Sequence, residues 1–212
     1  MQTINDQIST SGALPDNYQE VLSWKVTGKP VRVIVLNILG ILLFIVFGMV
    51  FSSIAISVGK MPSEGNFRLG LGEIGLAVAG IVVTFVLHEL THGLTMQMFG
   101  ARPKYGIIWK GLMLYATSPG HAYHRNNYMV IALAPFVFIS MLVVLGMWIL
   151  QGTAWVALLG ICGIVNASGA VGDVWITMVV LRYAATAYVM DERDGVRVFS
   201  LAPPARAGVP KP

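Results

Sequence analysis

From Asn126 to Gly172 the chain reads NNYMVIALAPFVFISMLVVLGMWILQGTAWVALLGICGIVNASGAVG, without a single Lys, Arg, Asp or Glu. A water-facing surface cannot be built from such a stretch. Charge is scarce elsewhere too. The 212 residues include 14 Lys and Arg and 10 Asp and Glu, 11% in all, and 56% are hydrophobic. An ordinary soluble domain carries about 25% charged residues. Disorder needs the opposite composition, low hydrophobicity and high charge. With Cys162 as the only cysteine, a disulfide scaffold is excluded. The net charge of +4 does not mark a nucleic-acid binder, because the basic residues form no dense run and sit beside the apolar segments. The composition predicts an integral membrane protein with the lipid bilayer as its partner.

Working outward, four apolar runs are each long enough to cross a hydrocarbon core of about 30 Å at about 1.5 Å per residue. They cover Val33 to Val58, Leu71 to Phe99, Tyr128 to Leu150 and Ala154 to Leu181. The expected fold class is all-α: a bundle of four transmembrane helices over residues 31–182. A cytoplasmic N-terminal segment, 1–30, and a cytoplasmic tail, 183–212, flank it. Polar residues fill the start of the chain, so no secretory signal peptide is expected. Leu14 to Trp24 reads as a short element at the membrane surface or as a partly ordered tail. The stretch from Ile107 to Tyr115 mixes β-branched, aromatic and apolar residues. It reads as a short membrane-associated hairpin between helices two and three. Lys25, Lys29 and Arg32 precede the first helix, Arg102, Lys104, Lys110 and Arg125 lie between the second and third, and Arg182, Arg193 and Arg197 follow the fourth. The positive-inside rule then places both termini in the cytoplasm.

Within the second run, His88-Glu89-Leu90-Thr91-His92 has the spacing HExxH. Helical residues step by about 100°, so with His88 at 0° Glu89 lies at about 100° and His92 at about 40°. Two imidazoles one turn apart can ligate one Zn²⁺, and the Glu beside them can carry a proton from water to a leaving amine. Ionisable groups inside a membrane helix are costly and mark function, and a metal gives all three a common reason. The competing readings are a helix end that reaches cytoplasmic water and an inactive site kept as a scaffold.

A third ligand is needed. Asp173 is the only charged residue inside the fourth run. His92 lies eight residues before Gly100 and Asp173 nine before Arg182, or about 12 and 13.5 Å from the same membrane side. The predicted topology thus puts them at one depth. His121 and His124 in the preceding loop are rival ligands or plain surface residues. Asn166, seven residues before Asp173 and on nearly the same face, is either a donor to a developing oxyanion or an interhelical hydrogen-bond partner. Gly80, Gly160, Gly163, Gly169 and Gly172 permit close helix packing, and Pro135 predicts a kink in the third helix. Cys162 reads as a small core residue.

HELTHG at 88–93, Ala132-Leu133-Ala134-Pro135 and Asn166-Ala167-Ser168-Gly169-Ala170-Val171-Gly172-Asp173 together resemble the small zincin peptidases of bacterial membranes, which are similar to the site-2 protease group of intramembrane metalloproteases. The resemblance covers roughly residues 31–181. It implies His88, His92 and Asp173 as zinc ligands, Glu89 as catalytic base and Asn166 near the reacting centre. It departs from the usual site-2 pattern around Asp173, which Gly172 precedes and Val174 follows. The expected function is a membrane-embedded zinc metallopeptidase in the bacterial cytoplasmic membrane, acting on a membrane protein or peptide. A membrane zinc carrier or sensor and an inactive peptidase-like scaffold are the alternatives from other classes.

Overall fold

A computed structural model describes residues 12–26, 28–58, 70–109 and 113–201. The first eleven residues, most of the loop between the first two apolar runs, Lys110 and the tail after Leu201 lie outside them. The four runs are helices. They are α1 (Pro30–Val58), α2 (Leu71–Met98), α3 (Arg125–Ile149) and a fourth that is broken in two, α4 (Trp155–Gly169) and α5 (Val171–Val180). All four are long and apolar enough to cross a membrane. Their outward faces carry large apolar side chains, among them Ile41, Phe44, Met49, Val82, Phe138, Leu142 and Trp148, each at least half exposed.

Local chemistry sets the helix ends. Pro30 opens α1, where its missing N–H costs nothing. At the end of α2 the N–H of Gly100 donates to Gln97 O at 2.9 Å and that of Ala101 to Met96 O at 3.1 Å. Gly100 has φ +83°, the left-handed conformation that such a double cap requires. The cap turns the chain back along α2. There β2 (Lys104–Ile108) and β3 (Met113–Thr117) form the expected antiparallel hairpin, with Ile107 opposite Leu114. Gly93 gives the hairpin its seat: a side chain there would collide with the Tyr105 hydroxyl.

The all-α expectation needs correcting, because the segments before α1 and after α5 are not plain tails. Together with one strand before α3 they build a four-stranded antiparallel sheet. Its strands are β1 (Tyr18–Lys25), β4 (Ala122–His124), β5 (Tyr188–Glu192) and β6 (Gly195–Leu201), in the order β1-β6-β5-β4. The physical reason is alternation: Val196 and Val198 are fully buried while Arg197 between them is only half-buried, the period-two pattern of a strand with one covered face. The segment from Leu14 to Trp24 is therefore mostly sheet, pairing Tyr18 with Leu201 and Lys25 with Gly195.

Two apolar clusters hold the molecule together. One lies under the sheet and joins Trp24, Tyr123, Tyr128, Ile131, Val180, Val189, Val196 and Val198. The other fills the bundle with Phe51, Ile139, Val143, Met147, Val156 and Ala167. A side chain at Gly163 would strike the Phe51 ring, its atoms 2.5–2.8 Å from the added carbon, so α1 and α4 pack as closely as the glycine reading anticipated. Cys162 is a buried free thiol.

Candidate metal centre

The break between α4 and α5 falls at Ala170, between Gly169 and Gly172. Glycine weakens a helix interior, and Asp173 lies in the first turn of α5 just after this break. His88, His92 and Asp173 each offer one ligand atom, and these atoms all lie within 4.8 Å of one another. His88 Nε2 is 3.1 Å from Asp173 Oδ2, and His92 Nε2 is 3.4 Å from Oδ1. The fold thus brings together the three residues that the residue counts had matched.

The outer nitrogens decide what the inner ones can do. His88 Nδ1 meets Asn166 Oδ1 at 3.0 Å, and His92 Nδ1 meets the Ile131 carbonyl at 2.9 Å. Both acceptors are carbonyl oxygens, so both Nδ1 atoms carry the proton and donate it. Each Nε2 is then left with a lone pair facing a carboxylate oxygen. Two imidazoles and a carboxylate converging on one point suit a cation, whether a proton on an imidazole nitrogen or a metal ion, and two imidazoles with one carboxylate are a donor set of catalytic zinc sites. The residues fit a zinc ion.

Pro135 makes the second of these hydrogen bonds possible. In an unbroken helix the N–H of residue 135 would donate to the carbonyl of residue 131. Proline has no N–H, so the Ile131 carbonyl is free for His92. The Pro135 carbonyl in turn accepts from Asn166 Nδ2 at 3.2 Å. Pro135 is thus more than a kink: it joins the supports of both imidazoles. Changing Pro135 to Ala restores the competing donor. Zinc affinity should fall at least tenfold, the usual cost of losing an outer-shell partner, without a matching loss of thermal stability. Chelator competition and a melting curve measure the two, and unchanged zinc affinity would refute the account.

Asn166 is 1% exposed and its amide is engaged at both ends, to His88 and to Pro135. Of the two roles its position allowed, it fills the interhelical one, as a support of His88. Its Nδ2 also approaches Ser140 Oγ at 3.5 Å, and Asn166 is not among the residues that line the cavity. His121 and His124 stand apart from the cluster: His121 stacks on Tyr123 with ring centres 4.5 Å apart, and His124 Nε2 is hydrogen-bonded to the Tyr188 hydroxyl at 3.0 Å. Neither belongs to the group of converging ligand atoms.

Glu89 follows His88 along α2 and faces a cavity of about 440 Å³ together with His88, His92 and Asp173. Ala116 of β3 lines the same cavity. On the far wall are Leu36 and Asn37 of α1, Tyr128 of α3 and the turn from Asp191 to Gly195. Arg193 of that turn lies over the Tyr115 ring, 5.6 Å from its centre, and so ties the sheet to the β2–β3 hairpin across the cavity. Tyr128 and the 191–195 turn were not among the residues singled out from the sequence. Tyr128 stands at the head of an apolar run and looks like core, and the turn lies in a segment read as a tail.

No curated protein and no solved structure matches the chain. A family model does, over residues 81–188, just over half of the length. The matched segment contains His88, Glu89, His92, Pro135, Asn166 and Asp173, the residues that build the centre. The chain belongs to the family described as "Putative zincin peptidase".

Proposed function

We propose that this protein is a membrane-embedded zinc metallopeptidase, similar to the site-2 proteases, that hydrolyses peptide bonds with Glu89 as general base. The observation that carries the proposal is the pair of imidazoles, each tied at Nδ1 and each presenting Nε2 to Asp173, beside a carboxylate in a cavity. Membership of a zincin peptidase family supports the reaction class. Four long apolar helices with outward apolar side chains support the membrane setting, since water rejects contiguous surfaces of that kind. The basic loops orient both termini toward the cytoplasm of a bacterial cell, and the bilayer and a membrane-protein or peptide substrate are the partners.

His88, His92 and Asp173 would hold the ion. Bound there, zinc supplies Lewis acidity toward the scissile carbonyl and makes the attacking water more acidic. Glu89 accepts the proton of that water and returns it to the departing amine nitrogen. Asn166 and the Ile131 carbonyl keep the two rings from turning. A helical substrate must unwind to react, because its peptide bonds are engaged in its own hydrogen bonds.

Metal removal tests the reading. Purified protein treated with a zinc chelator should lose cleavage of a quenched fluorescent peptide library, and one equivalent of zinc should restore it. Cleavage that persists in metal-free protein would exclude a zinc mechanism.

A further inference from the structure

Three acidic residues of the cavity wall, Asp191, Glu192 and Asp194, are used by neither the metal centre nor the proposed reaction; Glu192 is paired with Lys25 and Arg197, and Asp191 is the one with a buried carboxylate oxygen lacking a partner. It projects from β5 on the same face as fully buried Val189 and accepts a hydrogen bond from the Tyr128 hydroxyl at 2.9 Å. Its second oxygen, Oδ2, is buried and meets no partner. The nearest polar group from β3, the Thr117 hydroxyl, is likewise buried and without a hydrogen bond of good geometry. Farther off, His92 attracts the carboxylate and Asp173 and Tyr123 repel it. Burial pushes its pKa up to about 6, so near neutral pH the folded protein carries a buried carboxylate with one hydrogen bond. That arrangement costs stability. A simple tether between the sheet and α3 needs no charge, and an apolar side chain of similar size would serve it better.

The hydrogen bond has a direction. Tyr128 has one proton and gives it to Asp191, so its oxygen keeps only acceptor capacity. Tyr128 lines the cavity that holds Glu89 and the metal centre. We propose that Asp191 is a positioning residue of the site: by taking the Tyr128 proton it fixes the phenol oxygen on the cavity wall as a hydrogen-bond acceptor for a main-chain N–H of a bound peptide. The proposal rests on the peptidase reading for its ligand, but binding tests it without any cleavage.

The experiment uses zinc-loaded full-length protein in detergent, a quenched peptide substrate, and a peptide hydroxamate together with its N-methylated analogue. Asp191→Leu should weaken hydroxamate binding about tenfold, the worth of one well-placed hydrogen bond. It should raise KM in proportion, change kcat little, and leave zinc content intact and the Tm at pH 8 equal or higher. Asp191→Asn, which keeps an acceptor oxygen, should fall between Leu and wild type. Tyr128→Phe should match the Leu loss, and the double variant should lose no more than either single one. N-methylation should weaken binding to wild type and not to Tyr128→Phe. Unchanged hydroxamate affinity in Asp191→Leu and Tyr128→Phe overturns the proposal. So does a lower Tm in Asp191→Leu combined with full affinity in Tyr128→Phe, which would make Asp191 a tether. Wild-type protein that binds the hydroxamate with this ranking but cleaves nothing removes the peptidase reading alone; cleavage with a flat ranking removes the positioning role alone.

Discussion

Changing Glu89 to Gln should abolish peptide cleavage while zinc stays bound. Gln has the size and shape of Glu but cannot accept a proton at neutral pH. General-base catalysis contributes about 10²–10⁴ in rate, and here the same group also returns the proton to the leaving amine, so the loss should sit at or above the upper end of that range. Zinc should stay because Glu89 is not one of the three residues whose ligand atoms converge. It faces the cavity instead. Steady-state cleavage and metal analysis of the same preparation decide the matter. A variant that cleaves at the wild-type rate would remove Glu89 from the mechanism. A variant that loses its zinc would make Glu89 a ligand.

The second large effect belongs to Asp173. Its two oxygens face one imidazole each, at 3.1 and 3.4 Å, and no other acidic group joins that cluster among the described residues. Replacement by Ala removes one of three protein ligands and the only negative charge among them. Zinc affinity should fall by more than the 10–100-fold that an outer-shell change costs, and cleavage should vanish with it. Asp173→Asn keeps one ligand oxygen and should bind zinc more weakly than wild type but better than Ala. Chelator competition ranks the three, with circular dichroism as a check that the helices persist. Equal zinc affinity in all three would mean that the ion is held elsewhere.

The cluster of His88, His92 and Asp173 was legible in the sequence because its signals are local or rare. HExxH needs only the helical step to put two imidazoles on one face, and Asp173 stands out because no other charge lies in its run. Counting residues from the ends of the apolar runs was enough to expect them side by side. The supports were not legible. Which carbonyl a proline frees is a local fact, but that His92 takes it depends on how α2 packs against α3. The choice between the two roles of Asn166 likewise waited on the positions of His88 and Pro135. The sheet was hidden for another reason. Long apolar runs dominate any reading of this chain, and the short strands at either end look like polar flanks beside them. One signal was available: Asp194-Gly195 punctuates two alternating segments, as turn residues do, and Arg193-Asp194 form the two-residue loop between β5 and β6.

The order β1-β6-β5-β4 also bears on how the molecule is made. The partner of Tyr18–Lys25 is Gly195–Leu201, so the first strand to be synthesised has no neighbour until every helix has been translated. At about 5–20 residues per second that wait lasts on the order of ten seconds or longer. During it the wall formed by the 191–195 turn does not yet exist, although His88, His92 and Asp173 are already present. A nascent chain therefore holds the residues of the candidate site before it holds the enclosure, and β6, the last of the described strands to arrive, completes it.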